Sequence, residues 1–229
     1  MKTVGLLGGM SWESTVTYYK VINETIKQQL GGLHSAQILL YSVDFAEIEK
    51  LQESGDWDQA ARILSADALR LEKADADFIV ICTNTMHKVA PQIQSYISIP
   101  ILHIADTTAD KLIAANINTV ALLGTKYTMA QDFYKERLIR RGIKVLIPEK
   151  QDQEIINNVI YDELCRGIIL DKSRKEYVRI ITSLQQQGAL GVILGCTEIG
   201  LLISQKDSPL PVFDTTFIHA REAALSMLS

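Results

Sequence analysis

The stretch Thr3-Val4-Gly5-Leu6-Leu7-Gly8-Gly9 is an apolar run that ends in two glycines. It returns almost unchanged as Thr119-Val120-Ala121-Leu122-Leu123-Gly124-Thr125, so that Gly124 follows Gly8 by 116 residues. A second pair of blocks, 78–85 and 191–198, repeats in the same order and at nearly the same offset. Two matching blocks in one order predict that the chain consists of two homologous halves.

Short apolar runs alternate along the chain with longer segments of helical period. Runs that are apolar throughout are typical of a parallel sheet covered on both faces. The stripe Trp57, Ala61, Leu64, Ala68 and Leu71 has the spacing of an amphipathic helix, and Gly142 and Gly188 lie where two predicted helices end. The predicted strands are Thr3–Leu7, Gln37–Val43, Phe78–Ile81, Ile101–Ile104, Thr119–Leu123, Lys144–Ile147, Val192–Leu194 and Val212–Phe213. This alternation predicts an α/β fold with two similar, doubly wound parallel-sheet domains.

Two proline-containing turns, Ile99-Pro100-Ile101 and Pro209-Leu210-Pro211, are the predicted crossings between the halves. We therefore expect residues 1–101 and 211–229 to form the first half and residues 102–210 to form the second. Polar residues follow several of the predicted strands, at the carboxyl ends where open α/β sheets bind ligands. Two such ends that face each other would enclose a site between the halves.

Composition excludes several classes of function. The 229 residues are 47% hydrophobic and 22% charged, which excludes a disordered chain, and the formal charge of -4 argues against nucleic acid or an anionic membrane surface as a partner. The three cysteines form no CxxC pair, so we expect neither a disulfide framework nor a structural zinc site, and we expect a cytoplasmic location. No apolar run is long enough to span a bilayer, and Val4–Met10 is too short for a signal peptide.

Three motifs together resemble those of the aspartate/glutamate racemase family, the cofactor-independent amino-acid racemases. They are Gly8-Gly9-Met10-Ser11, Cys82-Thr83-Asn84-Thr85-Met86-His87 and Gly195-Cys196-Thr197-Glu198-Ile199. The resemblance covers essentially the whole chain. It implies two α/β domains related by pseudo-twofold symmetry, an active site between them, an amino-acid substrate and a homodimer. It also implies that one Cys from each half flanks the substrate α-carbon, so that neither PLP nor a metal is required.

Racemisation removes the α-proton from one face of the substrate and returns a proton to the other, so two acid/base groups must lie on opposite sides. The second-half motif supplies Cys196, which we predict to be the main base. In the first half the family pattern places Thr83, not a Cys, at the catalytic position. Cys82 comes one residue earlier, and since neighbouring side chains of a strand point to opposite faces, we expect it to face the core.

Other residues of these motifs are candidates for binding the substrate or for tuning the bases. Asn84, Thr85 and Thr197 match family positions that hold the α-carboxylate and amino group, although each residue type is also typical of helix capping. Thr125 lies in the equivalent loop of the second half. Met10 and Ser11 follow the first strand. Glu198 would raise the pKa of a neighbouring thiol by its charge, while His87 and His219 are candidate partners for making a thiolate.

The resemblance predicts a racemase for L-aspartate and/or L-glutamate, but the residues leave alternatives open. The Arg and Lys that hold the distal carboxylate in aspartate-preferring members have no evident counterpart, and Cys165 falls near the position expected for the Lys. A site with one thiol also resembles that of arylmalonate decarboxylases, which need a single proton donor. A binding protein for small acids, without turnover, is the third possibility. Whether Thr83, Cys82 or a water completes the reaction separates these functions.

Overall fold

The computed structural model describes all residues, Met1–Ser229. The chain forms two compact units, one made of Met1–Ile104 with His219–Ser229 and the other of Ala105–Ile218. Each unit contains one four-stranded parallel sheet, and this confirms the predicted α/β fold with two parallel-sheet domains. No helix combines the length and the apolar character that crossing a bilayer would require.

All eight predicted strands are present, with ends that shift by up to two residues. The first unit contains β1 (Val4–Gly8), β2 (Ile38–Ser42), β3 (Phe78–Ile81) and β4 (Ile101–Leu102). The second contains β5 (Thr119–Gly124), β6 (Lys144–Leu146), β7 (Gly191–Gly195) and β8 (Val212–Asp214). The strand orders are β2-β1-β3-β4 and β6-β5-β7-β8, so the two sheets share one topology, as expected of a duplicated fold.

Helices connect the strands in both units. The two longest begin at capping side chains: Ser11 accepts from the Ser14 amide, and Asp56 accepts from the Gln59 amide. Gly142 and Gly188 have φ angles of 79° and 101° and follow helix ends, as predicted. The helices are α1 (Trp12–Leu30), α2 (Phe45–Ser54), α3 (Trp57–Lys73), α4 (Ala90–Gln94), α5 (Ile104–Ala114), α6 (Lys126–Ala130), α7 (Asp132–Arg140), α8 (Lys150–Asp162), α9 (Asp171–Gln186), α10 (Ile199–Leu202) and α11 (Thr215–Met227), with short 3₁₀ helices at Thr85–Val89, Leu164–Arg166 and Gln205–Asp207.

The second crossing between the units lies later than the sequence indicates. We expected residues 211–229 to return to the first half, but β8 pairs with β7, in the register Leu194↔Asp214, and so belongs to the second unit. The backbone hydrogen bonds of this strand keep the chain in the second sheet as far as Asp214, and the second unit ends at Ile218, in the helix that follows. The first crossing comes at Ile104, three residues after the predicted boundary, because β4 continues the first sheet to Leu102.

Alternation along β3 assigns its side chains to two cores of the first unit. Ile79 and Ile81 pack in one buried cluster with residues of α3, while Val80 and Cys82 pack in the other with residues of α1 and α11. The second sheet repeats this pattern, since Val192, Leu194 and Cys196 share a buried cluster with α8 and α9. Covering on both faces explains why the strands are apolar throughout.

Gly9 allows the loop after β1 to approach β2 closely. Its φ is 91°, and a Cβ atom at this position would collide with the backbone of Val43, including the amide nitrogen at 2.6 Å. Gly55, at the end of α2, also has a positive φ of 75°, but no atom lies within 4 Å of a Cβ there.

We therefore expect Gly9→Ala to lower stability more than Gly55→Ala. The left-handed backbone costs Gly55→Ala roughly 1–2 kcal/mol, and Gly9→Ala adds an overpacking cost of about 1–3 kcal/mol. Thermal melts followed by circular dichroism measure both variants against the parent. Equal melting temperatures for the two variants would show that the loop after β1 relaxes around a methyl group.

Candidate active site

The carboxyl ends of two central strands bring the first unit's candidate residues together. β1 and β3 pair in parallel, with Leu7 opposite Ile81, so the loop 8–11 lies beside the loop 82–85. Both loops are buried, and their polar side chains have little exposure: Ser11 is 5% exposed, Asn84 2% and Thr85 5%. This is the sheet edge at which the sequence predicts a site.

Thr83 and Cys82 have different surroundings. Cys82 is fully buried in the core against α1 and α11, and burial raises the pKa of its thiol far above the ordinary value. The predicted orientation of Cys82 toward the core is confirmed. Thr83 is the next residue along the chain and retains 8% exposure. Thr83 is therefore the more accessible of these two residues.

The structure gives His87 and His219 a role other than the one expected. We listed both as candidates for making a thiolate, but their ring nitrogens contact groups within the first unit. In His87, Nδ1 lies 2.7 Å from the Thr83 carbonyl oxygen, and Nε2 accepts from the Ile104 amide at 3.2 Å. In His219, Nε2 lies 2.8 Å from the Leu102 carbonyl oxygen and Nδ1 lies 2.8 Å from the Tyr18 hydroxyl. Burial lowers the pKa of His219 to about 4, so this ring is neutral and a poor base at pH 7.

Met10 and Ser11 also have structural roles. Met10 is buried in the core of the first unit together with Leu7 and Ile81, so its side chain packs in the protein interior. Ser11 caps α1, and its carbonyl accepts from the Ser14 and Thr15 hydroxyls at 3.0 and 2.9 Å. Asn84 and Thr85 lie at the start of the 3₁₀ helix Thr85–Val89, where Asn84 forms no side-chain cap.

In the second unit, Cys196 and Glu198 form a buried hydrogen-bonded pair directly after β7. The Cys196 thiol donates to Glu198 Oε2 at 3.0 Å, and the Thr197 hydroxyl donates to the same oxygen at 2.8 Å. Cys196 is 8% exposed, Thr197 8% and Glu198 3%. The Glu198 carboxylate thus accepts hydrogen bonds from both Cys196 and Thr197.

This environment makes Cys196 a weaker acid than an ordinary thiol. Burial is the largest cause and raises its pKa well above the usual value, and the negative charge of Glu198 raises it further. A smaller contribution in the same direction comes from Cys165, while the backbone amide of Glu198 acts in the opposite sense. In the unliganded protein at pH 7, Cys196 is therefore a protonated thiol that donates to a carboxylate.

Thr125 lies at the strand end next to Cys196, because β5 pairs with β7 and Gly124 lies opposite Gly195. Its hydroxyl caps α6 by accepting from the Thr128 amide at 3.3 Å. Cys165, in the short helix Leu164–Arg166, packs against the buried cluster that contains Cys196. Sequence reasoning missed this proximity and also the link from Tyr18 to His219, because neither pair is close along the chain or shares a motif.

Comparison with known proteins finds relatives that match this chain over almost its whole length. The model of the Asp/Glu/Hydantoin racemase family matches residues 7–223. A protein from Yersinia pestis assigned as an Asp/Glu racemase has 55% identity and a TM-score of 0.93 over the full length of both chains. An aspartate racemase homologue from Pyrococcus horikoshii OT3 has 34% identity and a TM-score of 0.87, also over both full lengths. The broad specificity amino-acid racemase RacX of Bacillus subtilis (strain 168) is 22% identical over 231 residues, which cover 99% of this chain and 98% of RacX.

The contact between Cys196 and Glu198 leads to a prediction about thiol reactivity. Glu198→Gln keeps a hydrogen-bond acceptor but removes the negative charge that raises the thiol pKa. We expect the pH midpoint for alkylation of Cys196 by iodoacetamide to move to lower pH, and alkylation at pH 8 to become faster. The rate is measured by mass spectrometry of the peptide that contains Cys196. Glu47→Gln removes an exposed carboxylate in α2 and serves as the matched control. An unchanged or higher midpoint in Glu198→Gln would contradict this account of the thiol.

Proposed function

Because the chain belongs to the Asp/Glu/Hydantoin racemase family, we propose that it is a PLP-independent racemase of L-aspartate and/or L-glutamate. In this proposal Cys196 is the main base and Thr83 acts on the opposite face of the substrate α-carbon. The observation that carries the proposal is the matched position of these two residues. Each follows the corresponding inner strand, β3 or β7, of two sheets with the same strand order.

The proposed reaction needs only groups that the chain and the substrate supply. The thiolate of Cys196 takes the α-proton of the L-enantiomer, and the electron pair of the broken C–H bond stays on the α-carbon, delocalised into the carboxylate. Thr83, or a water beside it, then donates a proton to the opposite face and forms the new C–H bond. The alkoxide or hydroxide left behind recovers a proton from solvent, and Cys196 loses its proton before the next turnover.

Formation of the thiolate is the difficult first step, since Cys196 is protonated in the unliganded protein. The α-ammonium of a bound amino acid brings a positive charge to the site, and a nearby positive charge stabilises a thiolate. Glu198 is the immediate acceptor of the thiol hydrogen at 3.0 Å, so its carboxylate is the first group to which this proton can pass. We assign Glu198 the role of tuning Cys196 in this way.

We further propose that Asn84, Thr85 and Thr197 hold the α-carboxylate and amino group, with Thr125, Ser11 and the backbone of Met10 completing the surroundings. These residues lie in the buried loops that follow the inner strands. The capping contacts of Ser11 and Thr125 are compatible with this role, because a capping oxygen fixes the direction of neighbouring amides that can bind a carboxylate. The substrate class follows the names of the relatives: an aspartate racemase homologue, a protein assigned as an Asp/Glu racemase, and a broad specificity amino-acid racemase. A racemase is therefore favoured over a decarboxylase or a binding protein.

Incubation of the protein with each L-amino acid, followed by optical rotation, is the direct test of this function. Loss of rotation with aspartate or glutamate, without added PLP, supports the proposal. Release of carbon dioxide from a substituted malonate, with stable rotation of every amino acid, would support the decarboxylase. Binding of amino acids without either reaction would leave only the binding protein.

The role of Cys196 leads to a prediction for its substitution. We expect Cys196→Ser to lower kcat by about 10²–10⁴, the usual contribution of a placed acid/base group. Cys165→Ser is the control, and it should change kcat little because Cys165 has no part in the proposed proton transfers. Racemisation is measured by chiral chromatography. Equal losses in the two variants, or activity that depends on added PLP, would refute the assignment.

The unequal bases lead to a prediction about isotope exchange. A Thr hydroxyl is a much weaker acid than a thiol, so reprotonation from the Thr83 side should be slow. In D₂O, L-substrate should often lose its proton to Cys196, exchange it and return with its configuration kept. Deuterium should therefore enter the L pool faster than the D product forms, while D-substrate shows almost no exchange with retention.

The variant Thr83→Cys tests this asymmetry, since a thiol on the second face should speed racemisation and bring exchange and inversion closer together. Both rates are followed by NMR and chiral chromatography. Because the two enantiomers have equal free energy in water, kcat/KM must match in both directions in every variant. Native protein that inverts L-substrate as fast as it exchanges it, with no gain in Thr83→Cys, would show that Thr83 or another group is already a competent second acid.

A further inference from the structure

The ring of His87 connects the ends of two adjacent strands in the first unit. Its Nδ1 lies 2.7 Å from the carbonyl oxygen of Thr83, two residues beyond the end of β3, and its Nε2 lies 3.2 Å from the backbone amide of Ile104, two residues beyond the end of β4. The ring is 1% exposed. His87 thus contacts the backbone of the residue proposed to act on the second face of the substrate.

The partners of His87 dictate its protonation. A carbonyl oxygen can only accept a hydrogen bond, so Nδ1 must carry the hydrogen that it donates to Thr83. A backbone amide can only donate, so Nε2 must be bare to accept from Ile104. The neutral tautomer with hydrogen on Nδ1 satisfies both contacts, and neither the other tautomer nor the imidazolium does.

Neighbouring rings fix the plane of His87. The ring centroid of His103 lies 4.5 Å away and that of His219 lies 5.6 Å away, both at interplanar angles of 62°. His219 is itself held between the Tyr18 hydroxyl and the Leu102 carbonyl, at 2.8 Å from each. His87 therefore lies in a buried cluster of rings, and it cannot rotate away from Thr83 without disturbing these contacts.

We propose that His87 is a positioning residue for Thr83: its Nδ1–H holds the Thr83 carbonyl and thereby sets where the Thr83 hydroxyl points. This inference rests on the proposed function of Thr83 as the group on the second face. A buried side chain thus fixes a carbonyl just beyond the end of β3. The hydroxyl on the adjacent Cβ follows the orientation of this peptide group.

Two substitutions of His87 by amide side chains each keep one of its two hydrogen bonds and remove the other. In His87→Asn, the amide nitrogen takes the position of Nδ1 and can still donate to Thr83, while the contact with Ile104 is lost. In His87→Gln, the longer amide reaches the position of Nε2 and can still accept from Ile104, while the donor to Thr83 is lost. Both variants alter the same buried ring, so general loss of packing affects them alike. His34→Gln, at an exposed histidine, is the control for the substitution itself.

The readout is the ratio of two rates in D₂O with L-substrate: deuterium entry into the L pool, which Cys196 performs, and formation of D product, which also needs Thr83. We expect His87→Gln to raise this ratio by about tenfold or more, because a displacement near 1 Å of a catalytic group can cost about 10²-fold. His87→Asn should keep a ratio close to the native one. A role limited to stability would lower both rates in parallel and leave the ratio unchanged in both variants.

Crystal structures of the two variants give a result that does not depend on turnover. The Thr83 hydroxyl should move by about 1 Å or more in His87→Gln and stay in place in His87→Asn. An unmoved Thr83 in His87→Gln, or an equal change of ratio in both variants, would overturn the inference and leave the proposed racemase intact. If native protein neither exchanges nor inverts any amino acid, the racemase fails, and the displacement of Thr83 still decides whether His87 positions it.

Discussion

The in-register pairing of the inner strands determines where the candidate residues of the strand-end loops lie. β5 and β7 end together, with Gly124 opposite Gly195, and β1 and β3 end together, with Leu7 opposite Ile81. Backbone hydrogen bonds fix these ends, and with helices on both faces the polar groups of the site lie at the carboxyl edge, where open α/β sheets bind ligands. A loop of a few residues is then enough to hold Thr83 or Cys196 in a buried polar position. Substitutions that shift a strand end would therefore displace the chemistry along with the fold.

The sequence is sufficient to predict the strands because each is a continuous apolar run with two covered faces. It also predicts the opposite orientations of Cys82 and Thr83, since the period of a strand is two. It fails at the second crossing, where Pro209-Leu210-Pro211 resembles a linker but the predicted strand that follows it, β8, pairs in the second sheet. Pairing with β7 is a contact between distant residues, and no local pattern indicates it. The contacts of His87 and His219 are hidden for the same reason, since their partners include Ile104 and Tyr18.

The chemistry of Cys196 shows why burial alone does not make a base. Burial and the charge of Glu198 both favour the protonated thiol, which is opposite to what a proton acceptor requires. The same arrangement has an advantage, because a reduced thiol that stays protonated between turnovers reacts slowly with oxidants and electrophiles. In the proposed reaction the substrate supplies the positive charge that makes the thiolate. Activation of the base is then coupled to the presence of the molecule on which it acts.

The two units use one strand order but hold their proposed acid/base groups by different means. Cys196 is held through its own sulfur, by a hydrogen bond to the side chain of Glu198, and that contact controls both the position and the proton of the thiol. Thr83 is held through its carbonyl, by the ring of His87, and that contact leaves the hydroxyl available. A hydroxyl has no accessible charged state near neutral pH, so only its direction can be adjusted. In the proposed reaction, each half therefore controls the property that its own functional group allows, protonation for the thiol and orientation for the hydroxyl.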